Sequence, residues 1–314
     1  MITAEHLSRS FSGNGLKLRD LNFHIEKGDC VGLIGPNGSG KRSLMRLILG
    51  IYNPDHGRLW VMGKNPSLIC RTPLQMSRID RNRMTFILPE SLPDERVSEI
   101  VSPKKSAIFD ADDFLKECFE TLKLSALLSS KVYQLSRGEL ARVRFYEAIT
   151  SMPELLLLYE PFSGVDASMK EQMIRILLTM NQKYSTTILL AVQNLNDMDK
   201  ICTRAIVLDK GICIYSGDLS DLRHRYLLSN RLVFQILDGV PDFQDLPIQR
   251  FSWNDGDLEI TFDPESVRAA DIIDHVLHTC IASEILIHEP QVEDLFRIAY
   301  RCTIPIAVVF RIGS

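Results

Sequence analysis

The chain has 314 residues, is 45% hydrophobic and carries a formal net charge of −4, enough to bury a sizeable core in one large or two ordinary domains. There is no basic excess of the kind a dedicated nucleic-acid binder shows, so no nucleic-acid partner is expected. No run reaches the ~18 consecutive apolar residues of a membrane span, and the opening MITAEHLSRSF has no signal-peptide core, which together predict a cytoplasmic chain unless a partner holds it at a membrane.

Residues 1–30 alternate polar and apolar positions, with Ile2, Ala4 and Leu7 followed by Leu18, Leu21, Phe23 and Ile25. This predicts short strands around a turn at Ser12–Gly15. Cys30–Ile34 is a compact apolar strand leading into the glycine-rich stretch Gly35–Gly40. Leu44, Leu47 and Ile48 then recur at helical spacing up to a glycine stop at Gly50. Residues 66–84 are mixed and basic and read as loop-rich. From Val97 to about Ile149 the pattern is mostly helical, with Phe114, Leu115, Cys118, Phe119 and Leu122 three and four residues apart. Leu155–Leu158 predicts a buried strand, Ser168–Tyr184 a helix and Thr186–Val192 another strand. Arg204–Asp209 and Gly211–Ser216 predict a hairpin-like pair.

Composition shifts after about Arg225. From Leu232 the order reads strand, loop, strand at Leu258–Phe262, helix at Glu265–Cys280, strand at Ile281–His288, helix at Gln291–Arg301 and a final apolar strand. That is a small α+β module without a phosphate-binding loop. Seven cysteines (30, 70, 118, 202, 213, 280 and 302) form no CxxC pair and read as reduced thiols, mostly buried.

Gly35-Pro-Asn-Gly-Ser-Gly40-Lys41 fits G-x-x-x-x-G-K between a buried strand and a helix, the context such a loop requires. Its glycines let backbone N–H groups curl around phosphate oxygens, the helix N-terminus favours an anion, and Lys41 adds a point charge. The residue after the lysine is normally Ser or Thr, whose hydroxyl binds Mg²⁺. Here it is Arg42, which has donors and no acceptor. Ser43 stands one place too late for that role, although it can meet a phosphate oxygen.

This loop, followed by Leu135-Ser-Arg-Gly-Glu139, then Leu155-Leu-Leu-Leu-Tyr-Glu-Pro161 and Ser163-Gly-Val-Asp166, resembles an ABC ATPase over residues 1 to about 222. The resemblance implies an α/β fold: a P-loop ABC ATPase domain with a RecA-like core, an antiparallel β subdomain and a helical subdomain at about 92–150. A C-terminal α+β accessory domain would occupy 223–314. It implies ATP as ligand, bound by Gly35, Asn37, Gly38, Ser39, Gly40, Lys41, Arg42 and Ser43. Phe11 matches the aromatic residue that stacks on adenine, with core packing as the other reading. Ser136, Arg137, Gly138 and Glu139 form the signature that caps the partner subunit's ATP. Arg137 and Glu139 depart from the usual Gly and Gln.

The departures cluster on the metal and on hydrolysis. Where such proteins have Asp then Glu at a strand end, this chain has Tyr159 and Glu160. The glutamine near the metal is matched by Glu90, and the histidine that contacts the γ-phosphate by Gln193. Glu160, Asp166 and Gln193 are the candidate catalytic residues, with Glu90 and Tyr159 beside the nucleotide. Mg²⁺ is doubtful at this site, no protein metal ligand is expected, and the site itself should turn over ATP weakly or not at all. Arg42 has two readings: a cation standing in for the metal with Glu90 as its ion-pair partner, or a side chain turned to solvent.

Ile287-His-Glu-Pro-Gln-Val-Glu-Asp-Leu-Phe296 resembles the closing segment of ABC-2 type exporter subunits, and it also fits an amphipathic helix on its own sheet. The resemblance implies an ABC-2 type membrane permease, a second ATP-binding subunit in a heterodimer, and a place at the cytoplasmic face of the membrane through that permease. A homodimeric transport ATPase and a soluble ABC-type regulator without a permease remain the alternatives.

Overall fold

The computed structural model describes residues 1–11, 17–66, 83–87, 96–101, 111–191, 195–226, 230–243, 246–254, 256–263 and 266–288. The chain divides into two compact units, Met1–Leu219 and Ser220–Ser314.

The first unit holds two sheets. β1 (Ile2–Ser10), β2 (Lys17–Ile25) and β4 (His56–Val61) form an antiparallel sheet in the order β2-β1-β4. The second sheet runs β5-β6-β7-β3-β8-β9, from β3 (Cys30–Ile34), β5 (Met84–Ile87), β6 (Leu155–Tyr159), β7 (Thr187–Ala191), β8 (Arg204–Asp209) and β9 (Ile212–Asp218). Its neighbours are parallel except for β8–β9. Strands of a parallel sheet are covered on both faces, which is why β3 and β6 read as unbroken apolar runs. Leu155, Leu156, Leu157 and Leu158 are all fully buried. β8 turns into β9 through Lys210 and Gly211, both at positive φ (45° and 81°), the geometry of the tightest right-twisting hairpins.

Helix α1 (Lys41–Ile48) joins the two sheets. Its Leu44, Met45, Leu47 and Ile48 belong to one core cluster with Ile2, Leu7, Leu21 and Ile25 of the antiparallel sheet and Leu33, Leu157, Leu189 and Ile206 of the parallel one. The helix stops at Gly50, whose φ of 74° is left-handed and whose N–H donates to the Leu47 carbonyl at 2.9 Å. Further along lie α2 (Val97–Ile100), α3 (Ala111–Thr121) and α4 (Arg137–Ile149), then α5 (Ala167–Tyr184). α4 is tied to β5 where the Thr85 hydroxyl donates to the Ala148 carbonyl at 2.6 Å.

In the second unit, β10 (Asn230–Gly239), β11 (Ile248–Asn254), β12 (Asp257–Phe262) and β13 (Cys280–His288) form an antiparallel sheet in the order β11-β12-β10-β13. Helix Ala269–Thr279 packs its Ile272 and Val276 against Leu232, Phe234, Leu258, Ile260 and Phe262.

Two sequence expectations need correction. The segment between the first two strands of this unit reads as loop, yet it contains β11. That strand lies at the sheet edge and pairs only with β12, so its alternation is mostly polar and exposed, and the hydrophobic period is lost. The helix expected from Glu265 begins at Ala269. Arg268 before it is extended (φ −78°, ψ 142°), and the Ser266 and Val267 N–H groups are held in a turn by the Asp263 carbonyl. The expected turn at Ser12–Gly15, most of the loop-rich stretch 66–84, the helix at Gln291–Arg301 and the final strand lie outside the described residues. Among the described residues no helix is long and apolar enough to cross a membrane.

The described cysteines are free, and those at 30, 118, 202 and 280 are buried. Burial pushes the Cys30 and Cys118 thiols up to about 12, so both stay protonated and behave as small core hydrophobes.

Phe234 is fully buried at the centre of the second unit's core. Phe234→Ala should destabilise that unit by about 3–5 kcal/mol. Denaturation of the full chain followed by amide exchange should show the loss in β10 and β12, with Leu155–Tyr159 unchanged.

Candidate functional site

The parallel ladder sets the site. Leu33 of β3 faces Ala191 of β7, and Ala191 faces Tyr159 of β6. Two strand spacings, roughly 10 Å, therefore separate the end of β3 from the end of β6. Crevices outside the carboxyl ends of such strands are where open α/β sheets hold ligands.

From β3 the chain turns through Gly35–Gly40 into α1. Gly40 sits at φ 109°, and a Cβ there would lie 2.6 Å from the Leu18 side chain, so glycine is required by both backbone and space. The loop is braced by Ser39 N–H to the Pro36 carbonyl at 3.1 Å and Gly211 N–H to the Ser39 carbonyl at 3.0 Å. Asn37 and Gly38 are exposed at its crest, while Ser39 is buried. Lys41 is buried too, with Nζ donating to the carbonyls of Gly35 at 2.5 Å and Pro36 at 3.0 Å. Burial lowers its pKa, and the opposite charge of Glu160 works against that shift. The lysine is thus folded onto its own loop, poised to exchange two carbonyls for an anion. Backbone N–H groups, a helix N-terminus and a lysine together make an anion-binding cradle.

Arg42 and Ser43 follow in the first turn of α1, both half-buried. The Arg42 Nε is buried with no hydrogen-bond partner among the described residues, and so is the Ser39 hydroxyl. Tyr159, at the end of β6, is half-buried and packs against the main core cluster. Burial is the first cause of its raised pKa, the neighbouring Glu160 charge adds to it, and Arg42 opposes it. The phenol therefore stays protonated in neutral solution. Glu160 follows in a left-handed conformation, φ 48°, with its N–H donated to the Ala191 carbonyl at 2.8 Å. Such a backbone costs a non-glycine residue about 1 kcal/mol or more and persists only where the surroundings impose it. Lys41, Arg42, Tyr159 and Glu160 thus form one electrostatic group.

That group is a poor seat for magnesium. The ion demands oxygen ligands in near-octahedral array, and in phosphate-loop enzymes the protein supplies them from a Ser or Thr hydroxyl and a strand-end Asp. A guanidinium and a protonated phenol replace them here.

Phe11 lies at the end of β1, half-buried against the core, with its ring 5.3 Å edge-on from Tyr52 and the Arg9 guanidinium 5.7 Å from its centroid. Glu90 and Gln193 fall outside the described residues.

The segment Ser136–Glu139 opens α4 as a reciprocal cap. Glu139 N–H donates to the Ser136 hydroxyl oxygen at 3.3 Å, and the Glu139 carboxylate accepts from the Ser136 backbone N–H at 2.8 Å and from its hydroxyl at 2.7 Å. Those Ser136 hydrogen bonds hold the Glu139 carboxyl below its ordinary value. Arg137 and Ser136 are exposed, and Gly138 is half-buried. Asp166 caps α5, accepting from Met169 N–H at 2.9 Å.

Sequence reasoning missed two features. Gly138 is packed against Gly164: a Cβ on Gly138 would lie 2.6 Å from the Gly164 carbonyl oxygen. The pair of glycines was visible in the sequence, but nothing in it placed the two turns in contact. A cavity of about 210 Å³ is also lined by Arg137, Leu140 and Arg144 of α4 together with Tyr159, Glu160 and Ser163. Arg144 stands two turns along α4 from Arg137, a spacing that could have drawn attention to it.

The ABC transporter family pattern matches residues 18–163. A methionine import ATP-binding protein MetN of Carboxydothermus hydrogenoformans is 30% identical over 230 residues, 71% of this chain and 67% of that protein. A probable sulfate/thiosulfate import ATP-binding protein CysA of Chlorella vulgaris is 28% identical over 221 residues, 70% of this chain and 92% of that protein. Two further curated relatives are longer, and the chain spans 63% of each. Among solved structures, an ATP-binding subunit of an ABC transporter superposes with a TM-score of 0.60 at 23% identity, over 71% of this chain and 92% of its own. The ATP-binding cassette MJ0796, dimeric and bound to ADP and Pi, gives 0.59 at 20% identity, over 70% and 99%. At those identities the structures speak for the fold, that of P-loop ABC ATPase cassettes. The relatives and the matched pattern go further: this chain belongs to the family of ABC transporter ATP-binding proteins, whose cassettes bind ATP.

Proposed function

We propose that this chain is the weakly hydrolysing or non-hydrolysing half of a heterodimeric ABC transporter. In this reading it pairs with a competent ATP-binding subunit and an ABC-2 type membrane permease at the cytoplasmic face of the membrane. The observation that carries the reading is an asymmetry between the two ends of one chain. At the phosphate loop, Arg42 and Tyr159 stand where oxygen ligands are needed. At the signature, Ser136 still caps α4 and Gly138 still packs on Gly164.

In a composite dimer, each nucleotide lies between one subunit's phosphate loop and the other's signature. The site using this chain's loop would hold ATP through Gly35–Ser43, with Phe11 at the adenine, and would act as a clamp. Glu160 stands where a catalytic base is expected, Asp166 and Gln193 beside it, and Glu90 near the phosphates. Without a metal to spread charge, Glu160 has little to work on. Losing one charge stabiliser in phosphoryl transfer costs ~10³–10⁵ in rate. The site built on the partner's loop would be completed by Ser136, Arg137, Gly138 and Glu139.

Export rests on the likeness of the 287–296 segment to closing segments of ABC-2 type subunits. The relatives carry import names, methionine and sulfate/thiosulfate among them, and they favour a second reading in which the permease is an importer. Co-purification of the full chain with its neighbouring permease, followed by transport in oriented vesicles, separates the two.

The purified chain should hydrolyse ATP at least ~10³-fold more slowly than a competent cassette with Mg²⁺ supplied. Brisk Mg²⁺-dependent turnover by the lone chain would instead make it an ordinary homodimeric transport ATPase. In the reconstituted heterodimer, Ser136→Ala should lower steady-state hydrolysis by at least about tenfold, as expected for removing one donor to a reacting phosphate, while ATP binding to the lone chain is unaffected. An unchanged heterodimer rate would mean that this signature completes no site.

A further inference from the structure

The donor set at the phosphate loop points beyond weak hydrolysis. Three observations bear on it, the third building on the first. Arg42 Nε is a buried donor with no acceptor among the described residues. A guanidinium offers up to five N–H groups in a planar fork that matches two phosphate oxygens at once. The Ser39 hydroxyl, in a residue only 1% exposed, is likewise without a partner, and it belongs to the same loop. Finally, Lys41 already satisfies its ammonium on the Gly35 and Pro36 carbonyls, so the loop is closed on itself through one cation while the next residue's cation keeps an unsatisfied donor. Among the unpaired buried polar atoms of the described residues, two belong to this one anion cradle, the Ser39 hydroxyl in the loop and Arg42 Nε in the first turn of α1, where phosphate oxygens can meet them.

We infer that this chain binds ATP as a metal-free anion, with the Arg42 guanidinium taking the place of the magnesium ion. The inference rests on the nucleotide-site reading given above. Arg42 lies one residue beyond Lys41 in the first turn of α1, close enough for its charge to act on Tyr159 at the end of β6. Tyr159 closes the other side with a neutral hydroxyl, which can donate a hydrogen bond to a phosphate oxygen but cannot hold a divalent ion as a carboxylate would. A fixed positive charge at this point also repels an incoming Mg²⁺, so arginine both substitutes for the ion and excludes it.

The test is equilibrium binding of ATP to the purified full-length chain by calorimetry, once with excess Mg²⁺ and once with excess EDTA. The expected result is binding in EDTA that weakens with excess Mg²⁺, because the ion ties up ATP in solution as a complex the site rejects. Arg42→Ala should weaken binding in EDTA by roughly ten- to hundredfold, the usual loss for a charge-assisted hydrogen bond. The double variant Arg42→Thr with Tyr159→Asp, which rebuilds the oxygen ligands, should bind ATP only when Mg²⁺ is present. Electron paramagnetic resonance with Mn²⁺ and ATP supplies a readout independent of affinity. The native chain should leave the Mn²⁺ signal as it is with ATP alone, and the double variant should broaden it. Binding by the native chain in Mg²⁺ but not in EDTA, or Mn²⁺ broadened by the native complex, overturns the inference and leaves the nucleotide site standing. Absence of binding under both conditions overturns the site and the inference together.

Discussion

The charge balance at the N-terminus of α1 is the constraint from which the rest of the site follows. A triphosphate brings about four negative charges to one helix end, and they must be met within a few ångströms. Related cassettes meet them with a lysine and a divalent ion held by protein oxygens. Here a guanidinium and a phenol stand at the positions where those oxygens are expected, and the adjacent lysine is partly desolvated. Hydrogen bonding to the phosphates survives such an exchange, because a planar fork and backbone N–H groups supply it. Polarisation of a leaving group does not survive it as well, because a single delocalised charge is spread over more volume than a small divalent ion. Retained binding with weakened turnover, as proposed above, would thus be two sides of one substitution.

The parallel ladder through Leu33, Ala191 and Tyr159 explains why position 159 matters so much. These backbones are fixed by a sheet whose inner strands are buried, so the Cα at the end of β6 stays beside the phosphate loop. The left-handed Glu160 is held by the same ladder through its bond to the Ala191 carbonyl. The backbone that positions residues 159 and 160 is therefore set by the fold, whatever side chains it carries.

Much of this was legible in the sequence, for physical reasons that differ by element. β3 and β6 were plain because strands covered on both faces are continuous apolar runs. The phosphate loop was plain because Gly40 and Lys41 are dictated by backbone geometry and charge. The Ser136–Glu139 cap follows from the spacing of a hydroxyl and an acid three residues apart. β11 was hard to read because its alternation is short: Phe251 and Trp253 flank Ser252, but both are exposed, and the strand opens with Ile248 followed by Gln249-Arg250, so no apolar face toward the core announced it. The start of the C-terminal helix was misplaced because nothing in Glu265–Arg268 distinguishes a turn held by the Asp263 carbonyl from a first helical turn. The contact between Gly138 and Gly164 left no trace, since a close backbone approach shows itself only as two glycines. The orphaned donor on Arg42 is a property of burial, which no residue name reveals.

The signature end carries its own electrostatic question. Glu139 replaces a neutral glutamine and accepts the Ser136 hydroxyl at 2.7 Å, so the group a partner's phosphate would meet is already engaged by an anion. A carboxylate and a phosphate cannot share one hydroxyl proton without cost. Arg137, the next residue, adds the opposite charge to the same first turn of α4 and is exposed. A phosphate that binds here must displace the carboxylate from the hydroxyl, and an arginine in the same turn is the group available to meet the exchanged charge.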